Sequence, residues 1–212
     1  MNEYHKIETL FERDMEGDKK LIEGRFRNPA VEFLKDNQWH FTEKIDGTNV
    51  RVHWDGHKVL FGGRTDSAQM PTNLMYALNE KFLGMVNEEL FEQKFGEMSV
   101  TLYGEGYGEK IQKGGGNYRD GVGFILFDVY INGNWLEREN VEDIAKAFSV
   151  PVAPIVLIGT IDEAVQFVKT VPVSQIAKVP HESEGLVGRP VVEMRDRRGD
   201  RVIVKVKVRD FV

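Results

Sequence analysis

The run Glu43-Lys44-Ile45-Asp46-Gly47-Thr48-Asn49 sets a lysine at a strand-to-turn corner, with a carboxylate, a glycine and a carboxamide close behind. A lysine that acts as a nucleophile must lose its proton near neutral pH, which takes desolvation or nearby positive charge. Val204-Lys205-Val206-Lys207-Val208 offers such charge. Period-two geometry puts both lysines on one strand face and the valines on the other. Ammonium groups roughly 7 Å apart along a strand suit the oxygens of a triphosphate. The same pattern also fits a solvent-facing edge strand whose lysines prevent aggregation. Glu105 in Tyr103-Gly104-Glu105-Gly106 and Glu184 in Ser183-Glu184-Gly185 stand beside glycine at expected strand ends. That placement suits ribose or hydrated-magnesium contacts, and equally an ordinary turn glutamate. Of Phe124, Phe127 and Tyr130, the core claims the majority, leaving at most one ring to stack on a base.

These residues need a scaffold, and the flanking sequence predicts one. Residues 1–36 read as an amphipathic start and a second short helix, with Ile7, Leu10, Phe11, Leu21 and Ile22 as core contacts and Asn28-Pro29 as cap and first helical position. Strands are expected over 39–44, 49–54 and 58–63, with Asp55-Gly56 as a hairpin turn. Leu74, Leu78, Phe82, Leu90, Phe91 and Phe95 give residues 72–95 helical spacing. Strands at 99–103 and 123–130 are joined by a glycine-dense loop that includes Gly104, Gly106 and Gly108, and Asn132-Gly133 marks another hairpin. Two helices follow, one behind Asn140 with Val141, Ile144, Ala145 and Phe148 on its apolar face. The other opens on the capping box Thr160-x-x-Glu163. A strand is expected between them within 151–159, and strands at 185–192 and 201–208 close the chain around a turn at Arg198-Gly199-Asp200. The expected class is α+β, mainly antiparallel sheets with flanking helices, in one domain spanning 1–212.

Composition narrows the chemistry further. At 212 residues, 41% hydrophobic and 29% charged, the chain is ordinary globular material. It contains no cysteine, which removes disulfides, thiolate metal sites and cysteine nucleophiles and fits a reducing, cytoplasmic setting. No apolar run reaches membrane-span length, and the first residues lack a signal peptide's apolar segment. The net charge of −6 argues against indiscriminate nucleic-acid binding, although residues 181–212 hold eight Lys/Arg against six Asp/Glu. There is no Gly-x-x-x-x-Gly-Lys-Ser/Thr loop, and the five histidines show no zinc spacing.

Taken in order, Lys44-Ile45-Asp46-Gly47-Thr48-Asn49, Gly63-Arg64-Thr65, Tyr103-Gly104-Glu105, Phe127-Asp128-Val129, Glu184-Gly185-Leu186-Val187 and Lys205-Val206-Lys207 resemble the motif series of the covalent nucleotidyltransferases. These are the ATP-dependent DNA and RNA ligases and the mRNA capping enzymes. Asn49, five residues after the lysine, is similar to the pattern of the RNA-ligase-2-like branch, where DNA ligases and capping enzymes usually carry arginine. The resemblance implies an ATP-grasp-like nucleotidyltransferase domain and an ATP-dependent RNA ligase. Lys44 would take AMP from ATP, with Glu43, Ile45, Asn49, Arg64, Glu105, Phe127, Glu184, Lys205 and Lys207 around the nucleotide. Glu105 would bind ribose, Phe127 stack on adenine, and Arg64 and Asn49 contact phosphate or the acceptor end. Glu184 and Asp46 would hold waters of a catalytic Mg²⁺ (or Mn²⁺), while Lys205 and Lys207 bind the α-phosphate and orient pyrophosphate. The implied partner is RNA with 5′-phosphate and 3′-hydroxyl ends. DNA ligases and capping enzymes continue into an OB-fold, whereas this sequence stops at Val212, just past Lys207. The expectation is thus a catalytic domain without a C-terminal OB-fold, full-length or truncated, with a separate protein as a candidate replacement for that domain. The alternatives are a DNA nick ligase, a GTP-using capping-type enzyme, and a non-catalytic module that binds nucleotide or RNA ends.

Overall fold

Alternating burial along the strands and helical burial spacing at Leu74, Leu78 and Phe82 organise the chain into short β-elements with helices packed on one side. The computed structural model describes residues 1–212. In chain order the first elements are β1 (Glu8–Thr9), β2 (Phe11–Arg13), β3 (Leu21–Phe26), α1 (Pro29–Phe33), β4 (Trp39–Glu43), β5 (Thr48–Trp54) and β6 (Val59–Gly62). Then come α2 (Thr72–Phe82), α3 (Met85–Phe95), β7 (Val100–Gly108), β8 (Val122–Ile131) and β9 (Asn134–Trp135). The chain ends with α4 (Arg138–Ala147), β10 (Ile155–Gly159), α5 (Ile161–Lys169), β11 (Gly185–Pro190) and β12 (Val204–Lys207). No helix is long and apolar enough to cross a membrane. The residues group into two compact units, one of Met1–His5 with Asp46–Ala153, the other of Lys6–Ile45 with Pro154–Val212.

The first unit is built on an antiparallel sheet of order β6-β5-β7-β8-β9. Val50, Val52 and Trp54, Val100 and Leu102, and Phe124, Leu126 and Val129 face a core shared with Leu74, Leu78, Phe82, Phe91, Val141 and Ile144. The alternate positions, among them Asn49, Arg51, Tyr103 and Glu105, face the other side. Between Tyr103 and Gly104 the register shifts: Tyr103 opposes Asp128 and Gly104 opposes Leu126, so Phe127 is the inserted residue of a β-bulge. Gly104, Gly106 and Gly108, expected in a loop, are strand residues. A Cβ on Gly104 would lie 2.3 Å from the Phe124 ring of β8, and one on Gly106 would lie 2.4 Å from Leu74 of α2, so a side chain and a helix close onto β7 only over glycine. Glu105 is therefore mid-strand, not at a strand end. Asn132 and Gly133, both at positive φ, form the expected hairpin turn. Helix α4 starts at Arg138, with Glu137 and not Asn140 in the cap position.

The second unit carries a sheet of order β1-β12-β11-β4-β10, antiparallel except for β1 against β12. Its core joins Leu10, Phe11, Trp39, Phe41, Leu186, Val204 and Val206 to Ile161, Val165 and Val168 of α5. The amphipathic helical start expected before residue 28 is absent. Leu10 and Phe11 are buried beside β1 and β2, strands too short for period-two alternation to show in sequence. Asn28 does cap α1, accepting from the Ala30 N–H, and Thr160 and Glu163 form the reciprocal capping box of α5. Strand β12 is not an edge, since β1 runs alongside it, which removes the edge-strand account of Lys205 and Lys207.

Candidate active site

In the second unit, three neighbouring strands bring the charged residues together. The Lys44 N–H donates to the Gly185 carbonyl at 2.9 Å, extending the β4–β11 ladder by one bond, and Gly185 opposes Lys207 across β11 and β12. Glu184 precedes the middle strand and lies between the two lysines. Its Oε2 accepts from Lys44 Nζ at 2.6 Å and its Oε1 from Lys207 Nζ at 2.5 Å. Side-chain exposures of 23%, 17% and 15% for Lys44, Glu184 and Lys207 set these pairs apart from fully solvated surface ion pairs. Burial pushes the Glu184 carboxyl up, but the Lys44 charge and the hydrogen bonds from Lys207 and Lys44 outweigh it and hold the group below the usual carboxylate range. Gly185, at φ +144°, is required here: a Cβ would lie 2.2 Å from the Val206 carbonyl. Lys205 shares the Lys207 face of β12, opposite Val187.

Glu43 and Ile45 flank Lys44 but point into the protein. Glu43 is 3% exposed; it accepts from the Ser174 hydroxyl and, at 2.8 Å, from the Gln175 N–H, so its side chain holds the 174–177 turn. Ile45 is buried. Nothing in the spacing of Ser174 and Gln175 announced this partnership.

In the first unit, Asn49 on β5 lies directly opposite Glu105 on β7, and Glu105 opposes Ile125 on β8. Asn49 Oδ1 is buried with no hydrogen-bond partner, an acceptor whose cost falls if a bound molecule brings a hydroxyl or amino donor. Gly47 sits against β7: a Cβ would lie 2.3 Å from the Gly106 carbonyl and 2.7 Å from Glu105 Cγ, and Gln112 Nε2 donates to its carbonyl at 2.9 Å. The glycine of Lys-x-Asp-Gly thus permits a close backbone approach beside Glu105. Phe127 is half-buried on the Glu105 side of the sheet, with Tyr4 edge-on at 5.1 Å. Arg64 is exposed beyond β6, and half-buried Asp46 opens this unit. Sequence reasoning passed over Arg51. It is fully buried and donates to the Gly63 carbonyl at 2.7 Å and to Asp66 Oδ1 at 2.9 Å, so it ties down the loop bearing Arg64. Its place in a strand of alternating pattern, facing away from the valines, was the available signal.

Nowhere do three His, Cys, Asp or Glu side chains converge on a point that could hold a metal ion.

Residues 37–207 match the model of the RNA ligase family. No curated protein sequence matches the chain. Among solved structures, a mutant of Naegleria gruberi RNA ligase with AMP and Mn is similar at 21% identity and a TM-score of 0.63, over 84% of this chain and 52% of that one. Another mutant with ATP and Mn is similar at 20% identity and 0.62, covering 95% and 59%; the same enzyme with PPi gives 20% and 0.63 over the same shares. At these identities the likeness shows a shared fold, the mixed α+β nucleotidyltransferase fold of RNA ligases, and the chain spans about half the length of the ligases it matches. On the family match, which covers most of its length, the chain belongs to the RNA ligase family.

Proposed function

We propose that the protein is an ATP-dependent RNA ligase that adenylylates itself on Lys44. The observation that carries this reading is the Glu184 carboxylate held between the Lys44 and Lys207 ammonium groups. This arrangement keeps a lysine amine at a strand end beside a second cation. It also supplies a carboxylate that can release both lysines when an anionic triphosphate competes for Lys207 and Lys205. Released from Glu184, Lys44 gives a proton to solvent and its neutral Nζ attacks the α-phosphorus of ATP; the N–P bond forms as the bond to the β-phosphate oxygen breaks, the surplus N–H proton passes to solvent, and pyrophosphate leaves with its charge met by Lys205 and Lys207. A 5′-phosphate oxygen of RNA then takes the AMP and returns the lysine. Attack by a 3′-hydroxyl on that 5′-phosphorus forms the phosphodiester and expels AMP.

In this proposal Glu105 binds ribose, Phe127 stacks on adenine, and Asn49 and Arg64 meet phosphate or the acceptor end. Glu43 and Ile45 shape the wall beside Lys44. Glu184 and Asp46 would hold a Mg²⁺ or Mn²⁺ ion through its waters, and the ion would supply neutralisation of phosphate charge. The ligases of this fold solved with ATP or AMP and Mn support the nucleotide and the divalent ion. Residues 1–212 would act as one nucleotidyltransferase domain. The absence of cysteine supports a reducing, cytoplasmic setting. A separate protein taking the part of a further domain belongs to the same proposal.

Incubation with α-labelled ATP and Mg²⁺ or Mn²⁺ should give an acid-labile protein label that Lys44→Ala abolishes. A label of equal strength on Lys44→Ala would sink the assignment. Retained ATP binding without any adduct would make the protein a binding module. GTP in place of ATP, and DNA in place of RNA at the 3′-hydroxyl end, separate the capping-type and DNA-ligase readings.

A further inference from the structure

Residues Met1–His5 belong to the unit that carries Asn49, Glu105 and Phe127, and they are fastened to that face of its sheet at three points. The buried Arg51 guanidinium donates to the Met1 carbonyl at 3.2 Å, the Tyr103 hydroxyl donates to the Asn2 carbonyl at 2.9 Å, and the Tyr4 hydroxyl donates to Asp128 Oδ2 at 2.8 Å. Burial pushes the Tyr103 hydroxyl up to about 12, so it remains a neutral donor across the working range of pH. Tyr4 is 8% exposed and packed among His5, Tyr103 and Trp135, with ring centroids 4.4, 5.1 and 5.4 Å away.

From there Tyr4 reaches both residues that the bulge places between core-facing Leu126 and Val129. Its ring meets Phe127 at 5.1 Å and 76°, and its hydroxyl holds the fully buried Asp128. Asp128 Oδ1 in turn accepts from the Val129 N–H at 3.2 Å. The register steps past Phe127, from Leu126 opposite Gly104 to Asp128 opposite Tyr103, so the packing of its ring helps decide where the side chain points. We propose that Tyr4 is a positioning residue for nucleotide binding: it fixes the bulge at Phe127-Asp128 and so aims the Phe127 ring at the nucleobase. This rests on the assignment of Phe127 to adenine made above.

Single-turnover self-adenylylation of the full chain over a range of ATP concentrations separates half-saturation from maximal rate. Tyr4→Leu keeps an apolar side chain at this buried position and removes the ring edge and hydroxyl. It should raise half-saturating ATP by roughly threefold to tenfold, the worth of one aromatic edge contact. Its maximal rate should stay within about twofold of wild type. Tyr4→Phe restores the ring and should recover most of the loss. Tyr4→Leu combined with Phe127→Ala should bind ATP no more weakly than Phe127→Ala alone, because the two act through one ring. Unchanged half-saturation in Tyr4→Leu, or losses that simply add, would overturn the proposal while leaving the Phe127 assignment standing. No effect of Phe127→Ala would remove that assignment, and the role of Tyr4 with it. Thermal unfolding of each variant identifies a loss of fold, which would lower the labelled fraction and leave half-saturation of the folded molecules unmoved.

Discussion

Glu184 sits between the Lys44 and Lys207 ammonium groups, and its charge state governs how that cluster behaves. Its carboxyl titrates below the ordinary value of 4.5, so the ionised form is the one that folding favours. The stability it contributes is complete above that ordinary value and is lost as pH falls through the lowered one. Glu184→Gln should therefore be less stable than wild type near pH 7 by about 1–3 kcal/mol, for a partly buried bridging carboxylate, and unfold at lower temperature. The difference in melting temperature should shrink steadily as pH drops below 4.5, the ordinary value for this group. A gap that stays constant down to pH 3 would show that Glu184 is not the bridge. Lys44, Glu184, Lys205 and Lys207 were each visible in the sequence, because residue type and period-two spacing are local properties. The bridge itself was not, since it joins positions 140 residues apart.

At the scale of elements, β7 carries Glu105 and pairs with the bulged β8 that carries Phe127, so its regularity bears on both. Gly104→Ala would push a methyl group into the Phe124 ring and the Ile125 carbonyl, 2.3 and 2.4 Å from the ideal Cβ. Overpacking of this kind costs about 1–3 kcal/mol, and the half-saturating ATP concentration for self-adenylylation should rise as the strand shifts. Thr160→Ala is the contrasting change. It removes the α5 capping box for about 1 kcal/mol and should leave ATP half-saturation unchanged, which melting curves and labelling together check. The glycines of β7 read as loop signals because glycine is usually a breaker. Only the presence of Phe124 and Leu74 against the strand makes them packing residues.

For the molecule as a whole, each unit has its own apolar core around its own five-stranded sheet. A ligand that binds only the folded protein stabilises it by mass action. ATP at one hundred times its dissociation constant should add about 2.7 kcal/mol, read as a rise in melting temperature. On the phosphate role proposed for Lys205, Lys205→Ala should weaken that rise at a fixed ATP concentration. On the proposed ligase reading, an overall charge of −6 leaves RNA contacts to local basic groups. RNA affinity should therefore fall with added salt at a slope of about −0.7 per phosphate contact, and a flat response would argue against backbone recognition.

The sequence alone determined the mixed α+β class, the two capped helices and most strands, and it singled out the candidate site residues, since all of these rest on residue type and short-range periodicity. Tertiary structure decided what spacing cannot encode. It turned the expected helical start into strands around Leu10 and Phe11 and placed β12 inside a sheet, not at its edge. It directed the Glu43 carboxylate to Ser174 and closed Glu184 onto both Lys44 and Lys207. The physical reason is the same in each case: burial and charge pairing act between segments far apart in the chain, and only the folded backbone sets which of them meet.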